Sequence, residues 1–344
     1  MTDGTIPITD PSDSTADVAL GVDVGGTNIK LGLVCANHEV LAEWTLSTHE
    51  ERGPQDALTR ICQTLNDFLD QHNIERKRLL TAGLATPGTM DIPGGLILRP
   101  PNMPHWVDYP VRDELAQQLG VPVAYLNDGS AAAFGEFWAG TGRDHSNMIM
   151  LTLGTGVGGG IIIEGKLLHG INSFGSECGH IIVDSSDDAR TCVWGGGQGQ
   201  LEAYASASAL VARVLDRIAS GESSQLSELG ESLTAKDIYD AAGVGDTLAV
   251  EAIEKTAYYL GIAITTLVHI IDPGLVVLGG AMGFGGAGDS IGSRFIDVIR
   301  QEFVRRAFPL VGERTTIDFA SLGSSAGYIG AAGYALATID GSAI

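Results

Sequence analysis

The sequence predicts an α/β fold in two parts, and three observations support that prediction. Short apolar segments typical of buried strands alternate along the chain with amphipathic segments of helical spacing. A strand, a glycine-rich turn and a returning strand occur twice, about 130 residues apart, which indicates an internal duplication at the scale of a domain. The chain has 344 residues, enough for two domains with full cores.

The composition excludes several classes of protein. Lysine and arginine number 20 against 42 aspartates and glutamates, a net charge of −22, and such a surface repels nucleic acid and anionic membranes. The four cysteines are scattered and form no disulfide framework. No apolar run approaches the length that spans a bilayer, and the polar, acidic N-terminus does not resemble a signal peptide. We therefore expect a cytoplasmic protein without nucleic-acid or membrane partners.

Periodicity and turn residues predict the individual elements. Residues 1–18 are expected to be disordered, residues 89–109, with many prolines and glycines, to be loop-like, and residues 282–289 to be mobile. Strands are expected at 19–24, 28–34, 40–45, 79–85, just before Asp128, and at 148–153, 158–163, 275–278 and 317–320. Helices are expected through Leu58, Ile61, Leu65 and Phe68, and over 111–119, after 128, over 250–271, 293–307 and 326–338. The last helix consists of small residues and can pack closely.

A carboxylate stands where a predicted strand ends and a helix begins. The apolar run from Val121 to Leu126 ends in Asn127-Asp128, and small residues follow. Ligands of open α/β sheets gather at the carboxyl ends of strands. A carboxylate there can accept a proton from a substrate hydroxyl, so Asp128 is a candidate general base. The alternative is that Asp128 only caps the helix.

The first glycine-rich turn, Gly25-Gly26-Thr27, follows Asp23 at the end of a predicted strand. Its glycines let backbone N–H groups approach phosphate oxygens, and Thr27 adds a hydroxyl donor. Asp23 could position a metal ion or its waters beside those phosphates. The alternative is a plain type I′ hairpin turn.

The second glycine-rich turn spans residues 154–160 and contains five glycines. Glycines lose more backbone entropy on folding than other residues, so five of them in one turn suggest a function. One such function is to let an anion approach the backbone closely. The dinucleotide-binding fingerprint is excluded because residues 161–163 continue as a strand rather than a helix. Later in the chain, Gly279-Gly280 follows a buried strand. This pair could lie against a nucleotide base or ribose, or form a simple strand-end turn.

Carboxylate, amide and imidazole side chains could hold the hydroxyl groups of a sugar. The candidates are Asn102, Glu177, His180 and Glu202. Considered one at a time, each is also an ordinary surface or capping residue.

Taken together and in this order, the motifs resemble the ROK family (repressors, open reading frames, kinases), and within it the bacterial glucokinases, from about Leu20 to Leu336. The resemblance is carried by residues 21–30 (Gly-Val-Asp-Val-Gly-Gly-Thr-Asn-Ile-Lys), 86–88, 101–102, 126–133, 153–160, 175–180, 201–202, 233–238 and 278–280.

The resemblance implies an actin-like (hexokinase/ribonuclease H-like) two-lobed sugar kinase fold with a duplicated core and ATP in the cleft between the lobes. The small lobe would comprise 19–128 with about 325–340, and the large lobe 129–324. Asp128 matches the general base. The hexose-binding positions are Asn102, Asn127, Glu177, His180 and Glu202. The positions around ATP are Asp23, Gly25, Gly26, Thr27, Lys30, Gly154, Thr155, Gly156 and Gly158, with Gly279 and Gly280 near adenosine. Mg²⁺ and a homodimer or higher homo-oligomer are also implied.

The chain departs from the family pattern at one place. The family has Cys-x-Cys-Gly-x-x-Gly-Cys before Leu-Glu, which together with a histidine binds a structural zinc. In this register the three cysteine positions are Val193, Gly195 and Gln200. Zinc thereby loses the thiolates that favour it, and we expect the loop to fold without metal. The alternative is an improvised site of Cys178, His180 and Cys192.

The resemblance implies ATP-dependent phosphorylation of a hexose, with the 6-hydroxyl of glucose as the first hypothesis. Fructose, mannose and N-acetylated amino sugars remain open as substrates, and polyphosphate remains open as donor. Two further hypotheses are a sugar-responsive transcriptional regulator and a sugar-binding protein without activity. A regulator would carry a helix-turn-helix ahead of the kinase-like part, whereas about 18 residues precede the first predicted strand here, and the net charge opposes DNA binding.

Overall fold

The computed structural model describes the backbone of Ile6–Pro7 and all of residues 16–341, and the chain divides into two compact units. The first unit comprises 1–144, 160–176 and 321–344, and the second comprises 145–159 and 177–320. The tail predicted to be disordered, 1–18, lies largely outside the described residues. Where it is described the prediction is wrong in part, because Ile6–Pro7 pair as a short strand with Glu43 and Ala42, and a strand begins at Val18.

The first sheet has six strands in the order β1-β4-β3-β2-β5-β8. Strands β2, β3 and β4 form an antiparallel meander, while β5 and β8 extend the sheet from β2 in parallel. A separate antiparallel hairpin consists of β6 and β7. The strands are β1 (Ile6–Pro7), β2 (Val18–Val24), β3 (Asn28–Cys35), β4 (Val40–Ser47), β5 (Leu79–Thr86), β6 (Thr89–Asp91), β7 (Leu96–Arg99) and β8 (Val123–Asn127).

The second sheet has five strands in the order β11-β10-β9-β12-β13. They are β9 (Met148–Leu153), β10 (Val157–Ile163), β11 (Lys166–Leu167), β12 (Leu275–Gly279) and β13 (Thr316–Phe319). Strands β9, β12 and β13 are parallel. Strands β11, β10, β9, β12 and β13 take the places that β4, β3, β2, β5 and β8 take in the first sheet. In both sheets the first strand of the hairpin, β2 or β9, has antiparallel strands on one side and parallel strands on the other. The duplication predicted from the two glycine-rich turns is therefore confirmed.

Ten α-helices connect and cover the strands in the described part of the chain. They are α1 (Gly53–Gln71), α2 (Val111–Leu119), α3 (Asp128–Trp138), α4 (Glu202–Ala205), α5 (Ala207–Ala219), α6 (Ala235–Gly243), α7 (Thr247–Ile271), α8 (Ser290–Arg306), α9 (Pro309–Arg314) and α10 (Ala326–Ile339). None of the helices within residues 16–341 is long and apolar enough to cross a membrane.

Helix α10 lies directly on β2, β5 and α3 within the first unit. Small residues make this contact possible, because a Cβ added at Gly83 of β5 would lie 1.8 Å from the carbonyl oxygen of Ala331 in α10. The close packing predicted for this helix is confirmed. It fixes the start of α3, which carries Asp128, relative to the end of β2, which carries Asp23.

The prediction of a loop over 89–109 is wrong in part. Residues 89–91 and 96–99 pair as the β6–β7 hairpin, and residues 104–106 form a short 3₁₀ helix that buries Trp106. Strands of three and four residues are too short to show an alternating pattern, so proline and glycine dominated the prediction. The helix predicted over 111–119 and the strand predicted over 148–153 have the observed bounds.

Candidate active site

The cap of helix α3 is Asn127, not Asp128. The Asn127 side-chain oxygen accepts hydrogen bonds from the N–H groups of Gly129 at 2.9 Å and Ser130 at 3.3 Å, which satisfies the start of the helix. Asp128 Oδ1 accepts a further bond from the Gly129 N–H at 2.8 Å. The alternative that Asp128 serves only as the cap is therefore wrong. Its exposed carboxylate stands at the carboxyl end of β8, where a substrate hydroxyl can reach it.

Asp23 lies within electrostatic range of Asp128 in the first unit. Burial, followed by the negative charge of Asp128, raises the pKa of Asp23 from 3.8 to about 7, and the positive charge of Lys30 acts in the opposite direction. Room for the Asp23 side chain comes from Gly327 of α10, where an added Cβ would lie 2.2 Å from Asp23 Oδ2. Lys30 Nζ donates to the carbonyl of Ser324 at 3.0 Å. The negative charges of Asp23 and Asp128 therefore repel each other when both carboxylates are ionised.

The raised pKa of Asp23 predicts a pH-dependent stability. Because the pKa is higher in the folded protein than in the unfolded chain, the contribution of Asp23 to the free energy of unfolding falls as the pH rises from about 4 to about 7. Asp23→Asn should therefore raise Tm relative to the wild type more at pH 8 than at pH 4.5. Lys30→Met should have the opposite effect on Tm at pH 8. Differential scanning fluorimetry measures the Tm of both variants. If the difference in Tm between Asp23→Asn and the wild type does not depend on pH, the raised pKa of Asp23 is contradicted.

The first glycine-rich turn is not a type I′ turn. That turn needs left-handed φ angles at both central residues, and neither Gly25 nor Gly26 has one. The Gly25 N–H donates to the Asn28 carbonyl at 2.9 Å, and the Thr48 hydroxyl donates to the Gly25 carbonyl at 2.6 Å. Residues 26–28 are exposed. The turn is therefore held from beneath by Thr48, and its outer face is open to a ligand.

The second glycine-rich turn is built onto Glu202. The Val157 N–H donates to Glu202 Oε2 at 2.8 Å, and a Cβ added at Gly156 would lie 2.4 Å from the same oxygen. The Gly154 carbonyl accepts from the N–H of Ala207, at the start of α5, at 2.8 Å. Packing accounts for Gly156, while Gly154 has no atom within 4 Å of an added Cβ and remains open to a ligand.

Gly280 joins the same region of the second unit. It has a φ of 89°, and an added Cβ would lie 2.3 Å from the Leu153 carbonyl oxygen. Because the backbone requires a glycine there, the strand-end turn is present whether or not a nucleotide binds. The structure places Gly279-Gly280 directly beside the residue that precedes the second glycine-rich turn.

Three of the predicted hexose-binding residues gather in the second unit. His180 Nε2 lies 3.8 Å from Glu177 Oε2. Partial burial raises the pKa of Glu177, His180 lowers it, and the charge of Glu202 raises it further. Asn102 and Asn127 belong to the first unit, where Asn102 has a left-handed φ of 58° in the turn after β7. The Asn127 amide nitrogen is the group it can offer a ligand, because its oxygen caps α3.

A cavity of about 300 Å³ in the second unit is bordered by Thr155, Arg190, Trp194, Glu202 and Ser206. Thr155 also borders a second cavity, of about 410 Å³, whose walls include Val211, Leu215 and Leu233. The sequence pointed to Thr155 and Glu202 but not to the other lining residues. Arg190 and Trp194 lie before α4, while Val211 and Leu215 lie within α5. Their approach to Thr155 is a contact between distant parts of the chain, which no local motif indicates.

The improvised metal site is not found. Within residues 16–341, no three His, Cys, Asp or Glu side chains are grouped so that they could hold a metal ion. The Cys192 thiol instead donates to Glu202 Oε1 at 3.1 Å, and His180 Nδ1 lies 3.1 Å from Gln200 Oε1. Cys192 was predicted only as a possible metal ligand and Gln200 only as a lost thiolate position. Neither was predicted to contact Glu202 or His180, since no local motif indicates these bonds.

Comparisons with known proteins give one family. A profile of the ROK family matches residues 19–338. A glucokinase of Halalkalibacterium halodurans is 36% identical over 315 residues, covering 90% of this chain and 92% of that protein. A putative xylose repressor of a Caldicellulosiruptor species is 28% identical, covering 90% of this chain and 76% of the repressor. The solved ROK family glucokinase of Streptomyces griseus, in complex with glucose and AMPPNP, is 31% identical, with a TM-score of 0.73 and coverage of 93% of this chain and 99% of that one.

Proposed function

Because the chain belongs to the ROK family and has its actin-like sugar kinase fold, we propose that it transfers the γ-phosphate of ATP to a hydroxyl group of a hexose. Glucose, phosphorylated at its 6-hydroxyl, is the substrate we favour, since a relative 36% identical is a glucokinase. The observation that carries the proposal is the exposed Asp128 carboxylate at the carboxyl end of β8, on a helix that another residue caps. Use of ATP would place the enzyme in the cytoplasm.

In this proposal Asp128 accepts the proton of the hexose hydroxyl as that oxygen attacks the γ-phosphate. Phosphoryl transfer needs little else from the protein beyond positioning and charge neutralisation. Mg²⁺ bound to the phosphates would supply neutralising charge, and Asp23 would hold the ion or its waters. The raised pKa of Asp23 fits such a role, because a cation would relieve the repulsion between Asp23 and Asp128.

The nucleotide-binding part of the proposal rests on both glycine-rich turns. Residues 25–27 and 154–158 would surround the phosphates. The N–H groups of Gly26, Thr27, Thr155 and Gly156 would donate to phosphate oxygens, with the Thr27 and Thr155 hydroxyls and Lys30 as further donors. The apolar side chains of Val211, Leu215 and Leu233 would contact the adenine base in the cavity that begins at Thr155. Gly279 and Gly280 would lie near the adenosine.

The hexose would be bound by carboxylates that accept hydrogen bonds from its hydroxyl groups. Glu177 and Glu202 would act as acceptors, with His180, Asn102 and Asn127 adding further bonds. A regulator is the competing function, since a repressor is among the relatives. The net charge of −22 opposes DNA binding by this chain.

A coupled assay of ADP release over glucose, fructose, mannose and N-acetylglucosamine tests the proposal and identifies the hexose. ATP and polyphosphate are compared as donors, with sugar phosphate measured directly for the latter. One hexose should exceed the others in kcat/KM. Absence of sugar-dependent turnover with every pair, from protein whose unfolding transition is cooperative, would favour a sugar-binding or regulatory role.

Glu177→Gln should raise the KM for hexose more than the KM for ATP. Loss of a charge-assisted hydrogen bond to a hydroxyl costs about 1.5–3 kcal/mol, so the expected increase in hexose KM is at least about tenfold. Glu202→Gln should raise the hexose KM as well, but it also alters the acceptor of the Val157 N–H and is the less selective variant. Steady-state kinetics with each substrate varied measure the effects, with the exposed Glu231→Gln as control. A change in the ATP KM alone would contradict the placing of Glu177.

A further inference from the structure

The segment from Ile181 to Leu201, here called the bracing loop, is closed on itself by backbone hydrogen bonds. The Leu201 N–H donates to the Ile181 carbonyl at 2.9 Å, and the Val183 N–H donates to the Gly199 carbonyl at 2.9 Å. Further out, the Cys192 N–H donates to the Gly197 carbonyl at 2.7 Å. The loop starts just after His180 and ends just before Glu202, so it joins two of the proposed hexose ligands.

The residues of the bracing loop do not fit a structural zinc ion. Val193, Gly195 and Gln200 stand where a zinc-binding loop of this register would need thiolates, and none of them can supply one. Val193 is 81% exposed. Groups other than a zinc ion must therefore hold His180 and Glu202 in place.

His180 is held by Gln200. The Gln200 amide oxygen lies 3.1 Å from His180 Nδ1, and since that oxygen carries no proton, Nδ1 must be the donor. In the neutral ring this leaves Nε2 as an acceptor. Nε2 lies 3.8 Å from Glu177 Oε2, beyond hydrogen-bond distance, so both atoms remain acceptors for hydroxyl donors.

The chain makes specific room for the Gln200 amide. A Cβ added at Gly197 would lie 2.2 Å from Gln200 Nε2 and 2.3 Å from its Cδ. Any larger residue at Gly197 would displace the amide from His180.

Glu202 is held by Cys192. The Cys192 side chain is 2% exposed, and its thiol donates to Glu202 Oε1 at 3.1 Å. Burial raises the pKa of the Cys192 thiol to about 11, which keeps the donor proton in place at neutral pH. The other oxygen, Oε2, accepts from the Val157 N–H. Both oxygens are thereby oriented, and each retains a lone pair.

We propose that Gln200 and Cys192 are positioning residues that orient His180 and Glu202 for hexose binding, and that the bracing loop does this without a metal ion. This inference rests on the proposed function for its ligand. The bonds that place the His180 proton and the Glu202 carboxylate are made within the protein itself.

The experiment compares Gln200→Leu with Gln200→Glu, which keeps an acceptor oxygen, and Cys192→Ala with Cys192→Ser, which keeps a donor. Gln200→Leu and Cys192→Ala should each raise the hexose KM about three- to tenfold, the loss expected for one hydrogen bond, with the ATP KM nearly unchanged. Gln200→Glu and Cys192→Ser should restore most of the loss. Gln198→Leu is the matched control, because the side-chain amide of Gln198 donates to the carbonyls of Asp187 and Ala189 in the same loop rather than to His180 or Glu202. It should lower Tm and leave the hexose KM unchanged.

The His180 tautomer gives a readout that does not need activity. Long-range ¹H–¹⁵N spectra of histidine-labelled protein, assigned with His180→Asn, should show the Nδ1–H tautomer in the wild type and in Gln200→Glu, and its loss in Gln200→Leu. An unchanged tautomer in Gln200→Leu, or an Nε2–H tautomer in the wild type, overturns the inference even if the protein is a hexose kinase. Conversely, the tautomer change in a protein that phosphorylates no hexose would support the positioning and overturn the proposed function.

Metal analysis by mass spectrometry, on protein purified without a histidine tag, completes the test. The protein should contain well under one zinc ion per chain, and a strong chelator should not change its Tm. Stoichiometric zinc that is lost in Cys192→Ser overturns the metal-free account of the loop.

Discussion

Asp128→Asn should lower kcat for hexose phosphorylation by a factor of about 10²–10⁴, the range expected when a general base is lost. The substitution keeps the shape of the side chain, and the asparagine oxygen can still accept the Gly129 N–H bond that Asp128 Oδ1 accepts now. The cap of α3 is untouched because it belongs to Asn127. Hexose binding, measured by calorimetry, should therefore change little while turnover falls.

The matched control is Asp113→Asn, an acidic residue in the first turn of α2 that belongs to no proposed site. It should retain wild-type kcat. Turnover of Asp128→Asn close to that of the wild type would remove Asp128 from the mechanism, and a loss of hexose binding equal to the loss of kcat would make it a binding residue instead.

Gly330→Ala should lower the free energy of unfolding by about 3 kcal/mol or more, the upper end of the range for overpacking. A Cβ at Gly330 would lie 1.8 Å from the Ala131 carbonyl oxygen and 2.5 Å from the Gly135 nitrogen. Both atoms are backbone of α3, so no side-chain rotation can relieve the clash, and α10 must move away from α3. Because α3 begins at Asp128, kcat should fall as well.

Gly243→Ala in α6 is the control, since an added Cβ there has no atom within 4 Å. It should be neutral or stabilise the protein by up to about 1 kcal/mol, as replacement of a helical glycine by alanine does. Urea denaturation followed by circular dichroism measures both variants. Equal midpoints for the two variants would contradict the contact between α10 and α3.

Local patterns predicted the elements that hold the two glycine-rich turns. The apolar run that predicts β9 and the helical spacing that predicts α2 are patterns of residues close together in the chain. The bounds predicted from them for both elements agree with the structure. The place of Asp128 between strand and helix also follows from adjacent residues. The cap assignment does not, because Asn127 and Asp128 are both favoured caps and only the backbone geometry separates them.

Contacts between distant residues could not be predicted in this way. Gly327 makes room for Asp23 from the far end of the chain, and the Val157 N–H reaches Glu202 across 45 residues. The bond from Cys192 to Glu202 likewise depends on the closed path of the bracing loop. Such contacts decide which carboxylates are oriented and which are charged. They produce no periodic pattern in the sequence from which they could be predicted.

The most direct test of the proposed activity is the identity of the product formed from ATP, Mg²⁺ and glucose by the wild-type protein. Phosphorus NMR and mass spectrometry should show one sugar phosphate for each ADP, with the phosphate on the 6-hydroxyl. ADP formation should nearly cease when hexose is omitted or when Asp128→Asn replaces the wild type. ADP released at the same rate with and without hexose, or the absence of phosphorylated sugar with every hexose tried, would contradict the proposal that this chain is a hexose kinase.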